Sequence, residues 1–178
     1  MKNIEKIKDE HHRFAKAIKF LVDKVLDNKG EQRASVRTSK PLVVHSLEMA
    51  FYLKQLGYKN DIVIAAVLHD LLEDTGTKRE EIKELFGEKI TRIVEAVSYD
   101  FGSNKNADYK SSFDNMADFK EALIVKSADL IENVRFFQFA PDDEKPGLIE
   151  KWNYFLKIAQ KISKEPVYIE LKKLLNNL

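Results

Sequence analysis

The sequence predicts an all-α fold, and three observations support this prediction. Apolar residues recur every three or four positions through most of the chain, which is the spacing of one face of an amphipathic helix. Only 6 Gly and 4 Pro occur in 178 residues, so residues that interrupt helices are scarce. No window shows a convincing run of strands. Because no linker, repeat or low-complexity segment divides the chain, we expect a single domain over residues 1–178.

Four helical segments are predicted in the first half of the chain. The first contains one or two helices and ends before Gly30, after which the sequence becomes polar and aperiodic. Pro41 suits the first turn of the second, where its missing N–H costs no hydrogen bond, and Gly57 suits its end. The third segment, residues 60–72, is apolar on nearly every side and is therefore expected to be central and buried. A capping-box pattern at residues 77–80 opens the fourth.

The second half continues the helical pattern around one long interruption. Ile90, Ile93, Val94 and Val97 mark a further helix. Residues 99–115 form the longest polar, aperiodic stretch and are predicted to be a loop, either a cover over a site or a surface connection. Further helices are predicted over about residues 116–139 and over residues 147–178.

Charge and composition narrow the classes of function. The formal net charge is +1, with basic residues dispersed among acidic ones, so neither nucleic acid nor a membrane is an expected partner. The chain contains no cysteine, so any metal must bind through His and carboxylate side chains. The charged N-terminus does not resemble a signal peptide, and no run approaches about 20 apolar residues. We therefore expect a cytoplasmic protein.

A cluster of polar residues interrupts the most apolar of the predicted helices. His69 and Asp70 follow Leu68 directly, in a setting where an ionised carboxylate is costly unless it is paired or binds a metal. Glu73 and Asp74 lie one turn further on, at i,i+4 positions relative to His69 and Asp70. Without a cation, these three carboxylates would repel one another and raise one another's pKa values. The segment therefore indicates a metal site.

Two other predicted helices carry further potential metal ligands, namely His45 after an apolar run and Asp129 in the apolar segment 124–131. A lone buried histidine is more often a hydrogen-bonded core residue than a ligand, but a spaced set is more specific. Two imidazoles and two carboxylates suit a divalent ion such as Mn, Fe, Co, Zn or Mg. The predicted ligands are His45, His69, Asp70 and Asp129. Glu73 or Asp74 is predicted to orient the attacking water or to accept its proton.

These motifs resemble those of the HD superfamily of metal-dependent phosphohydrolases. Residues 69–75 are similar to the HD-x-x-ED-T motif of RelA/SpoT-type domains, which remove the 3′-pyrophosphate from (p)ppGpp. Residues 125–129, followed by Asn133 and Arg135, resemble the K-x-A-D-x-x-x-N-x-R stretch of the same domains. The similarity covers about residues 33–135. It implies a single HD-type helical bundle with the metal site in its core.

The resemblance also implies functional roles. In that family, the residues matching His45, His69, Asp70 and Asp129 bind manganese, those matching Glu73 and Asp74 assist the attacking water, and the one matching Asn133 helps bind the nucleotide. The implied activity is manganese-dependent hydrolysis of (p)ppGpp. The alternatives are another nucleotide substrate (a nucleoside monophosphate, a cyclic nucleotide or a dinucleotide phosphate) and a nucleotide-sensing domain without turnover.

Three cations are further candidates for substrate binding, because positive charge stabilises a reacting phosphoryl group. Lys126 belongs to the matched stretch around Asp129, whereas Arg37 and Lys40 precede His45. The alternative interpretation of each is a solvated surface residue. With Asn133, these residues complete the predicted site.

Overall fold

The structure, a computed structural model, describes residues 2–27, 41–98 and 109–178. Within these ranges every regular element is helical, which confirms the all-α prediction. The α-helices are α1 (Lys2–Asp27), α2 (Leu42–Gln55), α3 (Asn60–Leu68), α4 (Leu71–Asp74), α5 (Arg79–Phe86), α6 (Glu88–Val97), α7 (Tyr109–Asn115), α8 (Lys120–Arg135), α9 (Lys145–Ile158) and α10 (Pro166–Leu175). Short 3-10 helices cover Phe137–Phe139 and Ala159–Ile162. The predicted loop around Arg37 and Lys40 lies outside the described residues.

Helix α3 lies at the centre of the molecule. All seven residues from Ile62 to Leu68 are buried, and α1, α2, α6 and α8 surround the helix. Burial of each large aliphatic side chain contributes about 1.5–3 kcal/mol relative to exposure, so this helix supplies much of the core. None of the helices in the described ranges is both long and apolar enough to cross a membrane.

Helix α8 also lies in the core, but it carries polar groups inward. Lys126, Ser127, Asp129 and Glu132 are all buried among its apolar residues. Because His45 of α2 contacts Asp129 and the Arg135 guanidinium lies over the ring of Tyr52, helices α2 and α8 run side by side in the same direction. This pairing brings two of the predicted ligands together.

The structure corrects three predicted boundaries. The continuous helix predicted through residues 60–72 ends at Leu68, and α4 begins at Leu71. The helix predicted over residues 116–139 is α8 followed by a separate 3-10 helix. Only the glutamate half of the predicted capping box forms, one residue later than predicted: the backbone N–H of Lys78 donates to Glu81 Oε1 at 2.9 Å, and the Lys78 side chain makes no capping hydrogen bond.

The loop prediction over residues 99–115 is wrong at its end, because Tyr109–Asn115 forms helix α7. Its Phe113 is fully buried, with its ring centroid 5.1 Å from that of Phe155 in α9. Tyr109, Phe113 and Met116 have helical spacing, but three residues in a polar stretch gave too short a pattern to recognise. Residues 99–108 lie outside the described ranges.

We expect Phe113→Ala to lower the free energy of unfolding by about 3–5 kcal/mol, because the substitution leaves a cavity between α7 and α9. Urea denaturation followed by circular dichroism measures this change. Phe139→Ala is the matched control, since Phe139 is 66% exposed. Equal effects of the two substitutions would contradict the assigned packing of α7.

Candidate metal centre

A two-residue junction between α3 and α4 positions His69 and Asp70. His69 retains helical backbone angles, whereas Asp70 has φ −96° and ψ −1°, which ends the regular helix. The helical turn then resumes, because the N–H of Asp74 donates to the Asp70 carbonyl at 2.9 Å. Two adjacent side chains thus reach the centre from a break in the core helix.

The imidazole of His69 is oriented by the backbone of its own helix. Its Nδ1 lies 2.9 Å from the carbonyl oxygen of Ala66. Because a carbonyl only accepts hydrogen bonds, Nδ1 donates the proton, which leaves Nε2 available as a ligand. Nε2 is buried and has no hydrogen-bond partner among the described residues, although Asp70 Oδ2 lies 2.9 Å away. A buried imidazole nitrogen 2.9 Å from a carboxylate oxygen fits two neighbouring ligands of one cation.

His45 approaches the same point from α2. Its Nε2 lies 3.2 Å from Asp129 Oδ1 and 3.9 Å from Asp70 Oδ2, and its ring centroid is 5.2 Å from that of His69. Ligand atoms of His45, His69 and Asp70 all lie within 4.8 Å of one another. The donor set of two imidazoles with the adjacent carboxylates fits a divalent metal ion.

Asp129 joins this cluster from α8 and is held by two neighbours on the same helix. Its Oδ1 accepts a hydrogen bond from Asn133 Nδ2 at 2.8 Å, and its Oδ2 lies 2.7 Å from Lys126 Nζ. Two side chains predicted to contact substrate therefore contact a predicted metal ligand. Arg37 and Lys40, the other two predicted substrate contacts, lie outside the described residues.

The electrostatics of the cluster favour a bound cation. Burial alone lowers the pKa of His69, but Asp70 and then Asp129 raise it to about 9, so in the metal-free protein Nε2 holds a proton that a bound cation would displace. Burial alone raises the pKa of Asp129, yet Lys126 and His45 hold that pKa well below its usual range. The pKa of Asp70 is also lowered against the effect of burial, chiefly by His69. Two carboxylates thus remain ionised in a buried site, where they attract positive charge.

Glu73 and Asp74 lie on α4, one turn beyond Asp70, and both are partly buried. Thr75 closes this turn, because its hydroxyl donates to the Leu71 carbonyl at 2.6 Å. The structure therefore places both predicted catalytic carboxylates on the element that directly follows the cluster.

Ser98 is a neighbour of the centre that was not among the predicted site residues, although residues 94–98 resemble the same family. Its hydroxyl lies 2.8 Å from the Val94 carbonyl and 3.3 Å from the His69 carbonyl, so the end of α6 contacts the junction. The contact itself depends on how α6 packs against α3, which the local sequence does not report.

Comparison with known families matches residues 24–152 to the HD domain, and the chain therefore belongs to the HD domain family. This confirms the resemblance seen in the sequence motifs. Among its relatives is a guanosine-3′,5′-bis(diphosphate) 3′-pyrophosphohydrolase of Aquifex aeolicus, 29% identical over 96% of this chain and 25% of that protein. The bifunctional (p)ppGpp synthase/hydrolase SpoT of Escherichia coli K12 is 24% identical over 83% of this chain and 22% of its own length. The chain thus spans about a quarter of the length of these curated relatives.

The fold also matches a solved structure. A metazoan ortholog of SpoT, described as hydrolysing ppGpp, superimposes with a TM-score of 0.79. The match covers 93% of this chain and 94% of that one, at 18% sequence identity. The two chains therefore share the same fold.

Proposed function

We propose that this protein is a metal-dependent phosphohydrolase that removes the 3′-pyrophosphate from (p)ppGpp. The observation that carries the proposal is the buried Nε2 of His69, oriented by Ala66 and placed beside Asp70 and His45. The names of the relatives supply the substrate, because the Aquifex and Escherichia proteins are named for hydrolysis or synthesis of this nucleotide. Pyrophosphate and GDP or GTP would be the products.

His45, His69, Asp70 and Asp129 would hold the metal. When bound, a divalent ion there would lower the pKa of water and polarise a phosphoryl oxygen. Manganese is our first candidate, and the donor set also suits iron, cobalt, zinc or magnesium. Asn133 Nδ2 and Lys126 Nζ contact the two carboxylate oxygens of Asp129, and these contacts orient that side chain.

Glu73 and Asp74 are the proposed acid–base groups. A water molecule must lose a proton as it attacks phosphorus, and a carboxylate one turn from the metal ligands is placed to accept it. The leaving 3′-oxygen must gain a proton, which the same carboxylate can return. Because both side chains are only partly buried, they can exchange that proton with solvent.

The proposal is tested with protein purified without chelators and then treated with EDTA. We expect added Mn²⁺ to restore pyrophosphate release from ppGpp. A metal concentration about 100 times the Kd is expected to raise the Tm by about 5–10 °C, since the ion binds only the folded state. Nucleoside monophosphates, cyclic nucleotides and dinucleotide phosphates form the comparison panel.

Each outcome bears on a different part of the proposal. Turnover of another member of the panel without turnover of ppGpp would overturn the substrate assignment but keep the metal chemistry. Tight ppGpp binding without products would indicate a sensing domain. Absence of any Mn²⁺-dependent change in Tm or activity would overturn the metal centre itself.

A further inference from the structure

Lys126 is a buried lysine in direct contact with the proposed metal centre. Its side chain is 6% exposed, and its flanking residues Val125 and Ser127 are fully buried. Lysine is almost never so deeply buried unless it is paired, because removing the ammonium group from water is costly. Here the partner is Asp129, whose Oδ2 lies 2.7 Å from Lys126 Nζ.

This contact places the positive charge of Lys126 beside a carboxylate that is also a proposed ligand of the metal ion. Asp129 Oδ1 faces His45, while Oδ2 faces Lys126, so the ammonium group and the proposed metal position share one carboxylate. Two cations that share a carboxylate in a site of low dielectric repel each other strongly. The same ammonium group stabilises the buried carboxylate when no metal is bound.

We propose that Lys126 is an internal counter-cation that stabilises Asp129 in the metal-free protein and limits the affinity of the centre for its divalent ion. Lys126 is thus a positioning residue that acts through Asp129. The inference rests on the proposed metal centre but not on the identity of the substrate. The proposed role of Lys126 therefore differs from the predicted contact with a substrate phosphate.

The test compares Mn²⁺ affinity, measured by electron paramagnetic resonance of the free ion, in the wild-type protein and two variants. We expect Lys126→Met to bind Mn²⁺ about tenfold more tightly, because a like charge has been removed from the site. Lys126→Arg keeps the charge and is expected to show no such tightening. Lys120→Met is the matched control, since Lys120 lies on the same helix and forms a 2.5 Å ion pair with Glu165 away from the centre.

Two competing roles for this lysine predict different results. A substrate contact predicts an unchanged Mn²⁺ affinity and a raised KM, whereas a purely structural role predicts weaker Mn²⁺ binding. Either result would overturn the proposal that Lys126 acts as a counter-cation. If the wild-type protein binds no Mn²⁺, the proposed metal centre fails first. If it binds Mn²⁺ without hydrolysing ppGpp, only the proposed substrate fails.

A second measurement applies if Lys126→Met is poorly folded. In EDTA, we expect Lys126→Met to lower the Tm of the wild-type protein much more than it lowers the Tm of an Asp129→Asn background, where no buried carboxylate needs a counter-cation. Such non-additivity identifies a direct coupling between the two groups. Additive losses of Tm would contradict the proposal.

Discussion

Replacing Asp70 by Asn is expected to lower kcat/KM for ppGpp by about 10³-fold or more and to abolish the Mn²⁺-dependent rise in Tm. The substitution keeps the size of the side chain but removes a negative charge 2.9 Å from His69 Nε2. A catalytic metal ion contributes several kcal/mol of transition-state stabilisation, and each 1.4 kcal/mol corresponds to a factor of ten in rate. Steady-state kinetics and differential scanning fluorimetry, each with and without Mn²⁺, measure the two effects.

The control for this substitution is Asp61→Asn at the start of α3. Asp61 forms ion pairs with Arg13 at 3.3 Å and with Lys89 at 3.1 Å. Partly exposed ion pairs of this kind contribute about 0–1 kcal/mol to the free energy of unfolding. The control therefore removes a carboxylate and leaves the proposed metal centre intact. If the Asp70→Asn variant shows the same Mn²⁺-dependent rise in Tm as the wild-type protein, Asp70 is excluded as a ligand.

The fold was largely predictable because most of the described helices have a regular apolar spacing or, like α3, a continuous apolar run. Helix α3 is the clearest case, since its seven consecutive apolar residues from 62 to 68 have no stable place except the core. Helix α7 was missed because its helical signal consists of Tyr109, Phe113 and Met116 within a polar segment. Its structure depends on packing against α9, which local periodicity does not report.

The candidate centre was predictable to a similar degree, and for a related reason. Asp129 stands out in the sequence because a carboxylate within the apolar segment 124–131 requires a partner. The break after Leu68 did not stand out, since apolar residues continue on both sides of His69 and Asp70. The i,i+3 spacing of Lys126 and Asp129 allows their contact, but the same lysine was also a candidate for binding the substrate. Spacing alone did not determine that the lysine faces a metal ligand.

The second large effect, a loss of kcat, is expected from substitution of Glu73 or Asp74, which we propose are the acid–base groups. Glu73→Gln and Asp74→Asn remove the basic group with little change of shape. We expect the variant of the acting carboxylate to lose about 10²–10⁴-fold in kcat, which is the usual contribution of a positioned acid–base group. Its affinity for Mn²⁺ should be retained, because neither residue belongs to the proposed ligand set.

Kinetics and Mn²⁺ titration on the same preparations separate this role from metal binding. The acting carboxylate is identified as the one whose substitution removes the acidic limb of the pH profile of kcat, since that limb reports protonation of the base. Glu84→Gln is the matched control, because Glu84 is exposed on α5. If either variant loses Mn²⁺ affinity together with kcat, its carboxylate is a ligand, and the ion is held by more than the four proposed side chains. If both variants keep wild-type kcat, the proton is accepted elsewhere, and the proposed role of α4 is wrong.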